Sequence, residues 1–293
     1  MAIKSTRGEK VFNVFNIIFM LSVCFLSAYP IWFVIVNSLN EGQDALRGGI
    51  YFWPRIFSLE NYITVFRDGG VVRAFQVTIA RTLLGTILTV FISAMVSYSL
   101  SKDHLVFRKL YITLGMITMF FSGGLIPTFL LYRNLGLLDN FLVFIIPGLF
   151  GFFNALIFMA FFRGIPGAIE ESAKIDGASD FRVFLQIILP LSTPVLATIA
   201  LFTGVGHWND YFSGVMFLSR RTDLEPIQTY LYRIVAEAMS NQMQVQVANV
   251  AQRTTSASLR FATMVITIVP IICVYPFLQK YFVKGMLIGA VKE

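Results

Sequence analysis

Apolar residues run along the chain in long unbroken stretches, and six of these stretches are long enough to cross a lipid bilayer. A membrane-spanning helix needs about 20 mostly apolar residues, whereas the strands of a membrane β-barrel alternate apolar and polar positions over about ten residues. The pattern therefore predicts an all-α, polytopic membrane protein with six transmembrane helices in a single domain over residues 1–293. The predicted spans are residues 11–36, 78–100, 110–132, 141–162, 191–218 and 261–282.

The composition agrees with a membrane protein, because 56% of the residues are hydrophobic and only 13% are charged. A soluble domain could not hide that much apolar surface from water. The net charge of +7 would suggest nucleic acid in a soluble protein. Here the basic residues flank apolar spans, as membrane insertion requires, and no basic run is interleaved with aromatic residues. We therefore expect a surrounding lipid bilayer and no nucleic acid partner.

The distribution of lysine predicts the orientation. If the N-terminus is cytoplasmic, the cytoplasmic segments are the N-terminal tail, residues 101–109, residues 163–190 and the C-terminal tail. All lysines fall in those segments or, in the case of Lys280, within the last three residues of the sixth span, which indicates that both termini are cytoplasmic. Residues 219–260 then form an extracytoplasmic loop. The lysines are Lys4, Lys10, Lys102, Lys109, Lys174, Lys280, Lys284 and Lys292.

One cytoplasmic segment, EESAKIDGASDFRVFLQIILP at residues 170–190, carries four carboxylates in an otherwise apolar chain. Pro166 suits the start of a short helix, and the Asp176-Gly177 pair suits its end. A second helix, capped by Ser179 or Asp180, would have one apolar face formed by Phe181, Phe184, Leu185 and Ile188. The alternatives are an elbow at the membrane interface and a docking site for a cytoplasmic protein. An anionic inner leaflet would repel this acidic segment, which favours docking.

This segment resembles the EAA signature of ABC importer permeases, which consists of Glu-Ala-Ala, three residues, Gly, and then a run that ends in an apolar residue, any residue, Leu and Pro. Ser172 departs from the alanine that is common there, and serine is small enough to keep the fit. The matched positions are Glu171, Ser172, Ala173, Asp176, Gly177, Ala178, Phe181, Phe184, Ile188, Leu189 and Pro190.

Further segments resemble the sugar-importer branch of that family, the maltose-permease-like subunits, and extend the resemblance to nearly the whole chain. They are FWPRIFSLENYITVF, LGLLDN, HWNDYF and the C-terminal QKYFVKGMLIGAVKE. The resemblance points to a permease for sugars or complex oligosaccharides, with an alginate importer as one specific expectation.

The resemblance implies a type I ABC importer permease fold in the bacterial cytoplasmic (inner) membrane. It also implies four kinds of partner, which are a pair of ATP-binding subunits, a second homologous permease subunit, an extracytoplasmic solute-binding protein and a sugar substrate. The chain has no G-x-x-x-x-G-K-[ST] pattern that could cradle ATP phosphates. We therefore expect a non-catalytic subunit that holds no cofactor or metal, with ATP and Mg²⁺ bound by the partner ATPase subunits.

The resemblance also assigns residues to contacts. Residues 163–190 would form the cytoplasmic coupling loop, and residues 219–260 would contact the loaded binding protein. In the C-terminal tail, Lys284, Gly285 and Lys292 would reach the ATPase interface. The coupling residues would be Glu170, Glu171, Ala173, Asp176, Gly177, Ala178, Phe181 and Pro190.

Polar residues inside spans are costly and often functional. Arg81 and the run His207, Trp208, Asn209 and Asp210 are therefore candidates for the substrate pathway. An aromatic ring beside hydrogen-bonding groups suits a sugar. The alternative is that Asn209 and Asp210 cap or lock helix packing, and that Arg81 pairs with a carboxylate or extends toward water.

Two other functions compete with the importer. An ion-coupled secondary transporter of small polar solutes would carry a coupling carboxylate inside a span, but the acidic residues lie almost entirely in loops, with Asp210 as the borderline case. A membrane enzyme would need paired catalytic groups on one face, but His104 and His207 are predicted on opposite sides.

Overall fold

The structure is a computed structural model that describes residues 6–67, 69–242 and 255–290. These residues are almost entirely helical, and an isolated backbone bridge between Asn40 and Phe57 is the strand-like feature among them. The α-helices in these ranges are α1 Arg7–Ser38, α2 Gly42–Leu46, α3 Glu60–Arg67, α4 Gly70–Ser101, α5 Arg108–Phe120, α6 Leu125–Asn134, α7 Phe152–Arg163, α8 Gly167–Ile175, α9 Asp180–Val183, α10 Leu189–Leu191, α11 Thr193–Asn209, α12 Phe212–Phe217, α13 Ile227–Gln242 and α14 Ser256–Ala290. The shorter helices are 3₁₀ turns at Phe141–Phe144, Ile146–Gly148 and Thr222–Leu224 and a π-helical turn at Phe184–Ile188.

Within the described ranges, three stretches are long and apolar enough to cross a membrane by themselves, namely α1, α4 and the part Ala257–Val274 of α14. Three more candidate spans are helix pairs bent at a short break. The bend is 115° between α5 and α6, 46° between Phe141–Gly148 and α7, and 82° between Asp180–Leu191 and α11. With each bent pair counted as one span the described chain has up to six spans, in agreement with the apolar pattern.

The predicted spans at residues 110–132, 141–162 and 191–218 are thus bent or interrupted rather than straight helices. In the first, Gly124 has φ +87°, a conformation that glycine adopts at little cost. In the second, Pro147 lies in a 3₁₀ turn and has no N–H to extend an α-helix. In the third, α11 begins after Ser192 with Pro194 in its first turn, and it ends at Asn209 rather than at residue 218.

One compact unit contains the described residues of Met1–Gly70 and Arg233–Ile268. Its buried amides tie the chain after α1 back to the end of that helix. The Nδ2 of Asn61 donates to the carbonyls of Ser38 at 2.9 Å and Asn40 at 2.8 Å. The Nδ2 of Asn40 donates to Asp44 at 2.9 Å, and its Oδ1 accepts from the N–H of Ile56 at 3.0 Å. The side-chain NH₂ groups of both buried amides thus have acceptors, whereas the Oδ1 of Asn61 has no partner among the described residues.

The second unit contains the described residues of Val71–Tyr232 and Val269–Glu293. Its main core lies where α4, α7, the π-helical turn and α11 meet. Residues of this unit include both the predicted coupling loop and the predicted substrate-pathway residues. The buried members of the core are Ala94, Tyr98, Phe158, Phe162, Val183, Phe184, Ile188, Val195 and Ile199.

Candidate functional site

The loop at residues 163–190 folds locally as its sequence predicts. α8 starts after Pro166 and ends at Ile175. Gly177 follows with φ +82°, a left-handed conformation that favours glycine. The N–H of Gly177 donates to the Lys174 carbonyl at 3.0 Å, and the N–H of Ala178 donates to the Ala173 carbonyl at 3.0 Å. The turn therefore satisfies the last carbonyls of α8 and reverses the chain.

A cap and an ion pair hold the second half of the loop against the first. Ser179, rather than Asp180, caps α9, since its Oγ accepts from the N–H of Arg182 at 3.3 Å. The Lys174 Nζ lies 2.7 Å from Asp180 Oδ1. The hydrogen bond with Asp180 is the main cause that raises the pKa of Lys174 above its usual value. The loop is thus closed by contacts of its own.

Two large apolar side chains close in sequence to the glycine turn of the loop are exposed. Ile175 is 87% exposed, which is unusual for a large apolar residue, and Phe181 is 56% exposed. Glu171, Asp176, Gly177 and Pro190 are also exposed, whereas Ala173 and Ala178 are half-buried against the core. An exposed apolar tip surrounded by carboxylates has the chemistry of a protein contact.

The segment after α9 is not the uniform amphipathic α-helix that its spacing predicts. Residues Phe184–Ile188 form a π-helical turn, and the N–H of Leu189 donates to the Phe184 carbonyl. Pro190 then lacks the N–H that an α-helical ladder would use. As a result Phe184 and Ile188 are buried, whereas Phe181 and Leu185 of the predicted apolar face are exposed.

Glu170 does not share the exposure of Glu171. Its carboxylate forms an ion pair with the Nζ of Lys102 and accepts a hydrogen bond from the Tyr98 hydroxyl at 3.2 Å. Tyr98 lies near the end of α4, and Lys102 directly follows that helix. The resemblance did not assign Tyr98 or Lys102 to the loop. The only signal in the sequence was that the lysines fall in segments that are predicted to lie on one side of the membrane.

The C-terminal candidates are less fully described. Lys284 and Gly285 lie on α14, and Lys292 lies outside the described residues. Of the predicted extracytoplasmic loop, the structure describes residues 219–242 and 255–260, which include the 3₁₀ turn and α13.

Arg81 and Asp210 meet at the C-terminal end of α11, just before α12 begins. Arg81 is completely buried, and its Nη1 lies 3.4 Å from the Asp210 carboxylate. Its Nη2 donates to the main-chain carbonyls of His207 and of Asp210, the latter at 2.5 Å. The guanidinium also lies 4.9 Å from the centre of the Phe144 ring. Arg81 therefore binds the negative C-terminal end of α11, where a cation is favoured.

The remaining residues of the HWND run have separate partners. The His207 ring lies over Gly85, where the Cβ of any larger residue would come within 2.6 Å of the ring Cε1. Trp208 contacts Phe75 edge-on with ring centres 5.5 Å apart, and Asn209 accepts from Gln228 at 3.4 Å. The structure thus brings Arg81, His207 and Asp210 together but directs Trp208 and Asn209 elsewhere. Sequence reasoning missed Gly85 and Phe144, which carry no polar signal.

Comparison with known proteins gives consistent matches over nearly the full length. A family model described as binding-protein-dependent transport system inner membrane component matches residues 1–288. Protein LplC of Bacillus subtilis (strain 168) is 38% identical, and the alignment covers 98% of this chain and 97% of LplC. The polygalacturonan/rhamnogalacturonan transport system permease protein YtcP of the same strain is 35% identical, with 97% and 99% covered.

A solved structure also matches. It is a chain of a bacterial ABC transporter involved in the import of the acidic polysaccharide alginate, with a TM-score of 0.87 and 28% sequence identity. The match covers 96% of this chain and 100% of that chain. The agreement confirms the expected type I ABC importer permease fold.

Proposed function

We propose that this chain is the permease subunit of an ATP-driven importer of oligosaccharides, because it belongs to the family of binding-protein-dependent transport system inner membrane components. The observation that carries the proposal is the loop at residues 163–190, a small self-closed structure that presents Ile175 and two carboxylates outward. In this proposal the loop is the coupling element, and it lies in the cytoplasm together with both termini.

The proposed mechanism uses the loop as a rigid body. Two ATP-binding subunits, which hold ATP and Mg²⁺, close on each other and displace the loop. The spans of this chain and of a second, homologous permease subunit then alternate between inward-open and outward-open states. Glu171 and Asp176 make the polar contacts with the ATPase, and Ile175 supplies apolar contact. Residues 219–260 face outward and receive the loaded solute-binding protein.

The proposed substrate is an oligosaccharide released from a polysaccharide. Support comes from YtcP, at 35% identity, and from the alginate transporter, at 28% identity over 96% of this chain. The arabinooligosaccharide permease protein AraQ of Bacillus subtilis (strain 168), at 25% identity, belongs to the same set of relatives. The substrates after which these three proteins are named share one feature, since each is a sugar polymer or a fragment of one.

Arg81 has a positioning role in this proposal. The Nη atoms of Arg81 donate to Asp210 and to the end of α11. This supports the alternative that the residue fixes helix packing, which we call the helix lock, over the alternative that it binds an anionic sugar directly. Asp210 uses its other oxygen to accept from the N–H of Ser213 at 3.1 Å, at the start of α12. The pair thus fixes the break between α11 and α12, and this break shapes the path for substrate.

The test is to purify the tagged chain from its native membrane in mild detergent and identify what accompanies it. We expect an ATP-binding subunit, a second six-span permease and an extracytoplasmic binding protein whose ligand is an oligosaccharide. Uptake by the reconstituted complex should require ATP. A chain that is recovered alone and transports solute with an ion gradient would overturn the proposal and favour a secondary transporter.

A further inference from the structure

The adjacent residues Glu170 and Glu171 have opposite environments. The side chain of Glu170 is 16% exposed and pairs with Lys102, which is 20% exposed. Glu171 is exposed and has no hydrogen bond or ion pair among the described residues. In a helix, neighbouring residues differ in direction by about 100°, so one carboxylate can face the protein while the next faces outward.

Glu170, Lys102 and Tyr98 form a compact group between α8 and the end of α4. Lys102 contacts both carboxylate oxygens of Glu170, and its Nζ lies 4.2 Å from the centre of the Tyr98 ring. The Tyr98 hydroxyl donates to the same carboxylate at 3.2 Å. A lysine that is paired with a carboxylate and placed over an aromatic ring is held in position by two kinds of attraction.

Tyr98 connects this group to the core of the unit. It is 6% exposed, and its ring centre lies 5.4 Å from that of Phe184 and 6.2 Å from that of Phe162. Phe184 lies in the π-helical turn near the C-terminal end of the loop, and Phe162 lies at the end of α7, directly before the loop. One side chain of α4 thus contacts the helix before the loop and the π-helical turn within it, and its hydroxyl contacts Glu170 of α8.

The loop does not need this group for its own closure. The turn at Gly177, the Ser179 cap and the Lys174–Asp180 ion pair already join its two halves. The Lys102–Glu170 pair adds a different connection, because it joins the loop to a helix that is 68 residues earlier in the chain.

We propose that Lys102, Glu170 and Tyr98 tie the loop to α4, so that a displacement of the loop is transferred directly to the second span. In this assignment Glu170 is a positioning residue within the chain, and contact with the ATPase falls to Glu171 and Ile175. The inference rests on the proposed importer function. It gives the two adjacent glutamates separate roles in coupling.

The test uses the complete transporter in proteoliposomes and makes two measurements. A pull-down gives the amount of assembled complex, and an uptake assay gives the ratio of substrate taken up to ATP hydrolysed. Glu170→Gln and Lys102→Gln should each lower that ratio at least about fivefold without loss of assembly, because the tie loses its charge pairing. Glu170→Lys and Lys102→Glu should act similarly, and their combination should restore the ratio to within about twofold of wild type.

Two neighbouring variants provide the comparison. Asp103→Asn removes a 97% exposed carboxylate beside Lys102 and should leave the ratio unchanged. Glu171→Gln should instead reduce the amount of assembled complex. Normal coupling in Glu170→Gln and Lys102→Gln would overturn the tie, and so would loss of assembly by Glu170→Gln, which would indicate a direct ATPase contact. If the wild-type chain assembled with no ATPase, the proposed function itself would be wrong. If the wild-type complex couples uptake to ATP hydrolysis and the Glu170 and Lys102 variants do so equally well, only the proposed role of the Lys102–Glu170 pair is wrong.

Discussion

At the scale of single residues, Arg81 carries a positive charge in the interior of the second unit. Its guanidinium is completely buried, and one carboxylate and two carbonyl oxygens neutralise it. A buried cation is tolerated when its charge is paired in this way, and both Nη atoms have acceptors although Nε has none among the described residues. Removing Arg81 would leave one carboxylate oxygen of Asp210 and two carbonyls at the end of α11 without this donor. The structure therefore predicts a stability effect at this position that a substrate-binding role alone would not produce.

We expect Arg81→Gln to lower the stability of the purified protein by about 3 kcal/mol, because one member of a mostly buried ion pair is lost. Thermal unfolding in detergent, followed by tryptophan fluorescence, measures the effect. Arg133→Gln is the matched control, since Arg133 is exposed on α6 and its loss should shift stability by less than about 0.5 kcal/mol. Equal midpoints for the two variants would contradict the lock.

Gly85 is a second residue with a specific prediction. A Cβ at this position would overlap the His207 ring, so Gly85→Ala should destabilise the protein by about 1–3 kcal/mol through overpacking. Gly206→Ala, one residue before His207, meets no atom within 4 Å and should be neutral or stabilising by up to about 1 kcal/mol. Melting temperatures of both variants provide the measurement. Adding His207→Ala to Gly85→Ala should recover stability, and an unaltered loss would refute the contact.

These residue contacts show where sequence reasoning stops. Arg81 and Asp210 were both selected as candidates because polar groups inside spans are costly. Their pairing could not be predicted, because 129 residues separate them and several carboxylates were available. Gly85 and Phe144 gave no signal at all, since small and aromatic residues are common in any membrane span.

At the scale of elements, the loop was predictable and the spans were only partly so. Its helix start, its glycine turn and the cap of its second helix follow from residues within a few positions of one another, whereas the π-helical turn at Phe184–Ile188 does not. The local sequence also leaves open the angles of the bends, which are 115° between α5 and α6 and 82° before α11. A proline or glycine in a membrane helix permits a bend but does not specify its angle. The apolar pattern therefore predicted how many spans to expect but not their shapes.

The glycine turn of the proposed coupling loop yields a prediction at this scale. Gly177→Val places a β-branched residue at φ +82°, a conformation that costs an ordinary residue about 1–2 kcal/mol. We expect the altered turn to lower substrate uptake per ATP hydrolysed at least about fivefold while the chain still inserts in the membrane. Gly177→Asn is the control, because asparagine tolerates the left-handed region and should retain coupling. Full coupling by the valine variant would rule out a requirement for this turn.

At the scale of the whole molecule, the distribution of charge predicts which face lies in the cytoplasm. Family membership requires an inner membrane component, and the placement of lysine predicts that both termini and the loop at residues 163–190 are cytoplasmic. The arginines do not help, because many of them lie in the long outer segments, where charge directs insertion weakly. Orientation is therefore a property that the hydrophobic pattern leaves undetermined and that the charge pattern predicts.

Cysteine labelling at two exposed positions, which are predicted to lie on opposite sides of the membrane, tests this orientation. Cys24 and Cys273 are first replaced by serine, since both are exposed in the chain. Arg220→Cys should then react with a membrane-impermeant maleimide on intact protoplasts, whereas Asp103→Cys should react only on inside-out vesicles. The physical reason is that the reagent cannot cross the bilayer, so each thiol reports its own side. The reverse result would place the coupling loop outside, where no ATP-binding subunit could reach it, and would thereby refute both the topology and the coupling mechanism.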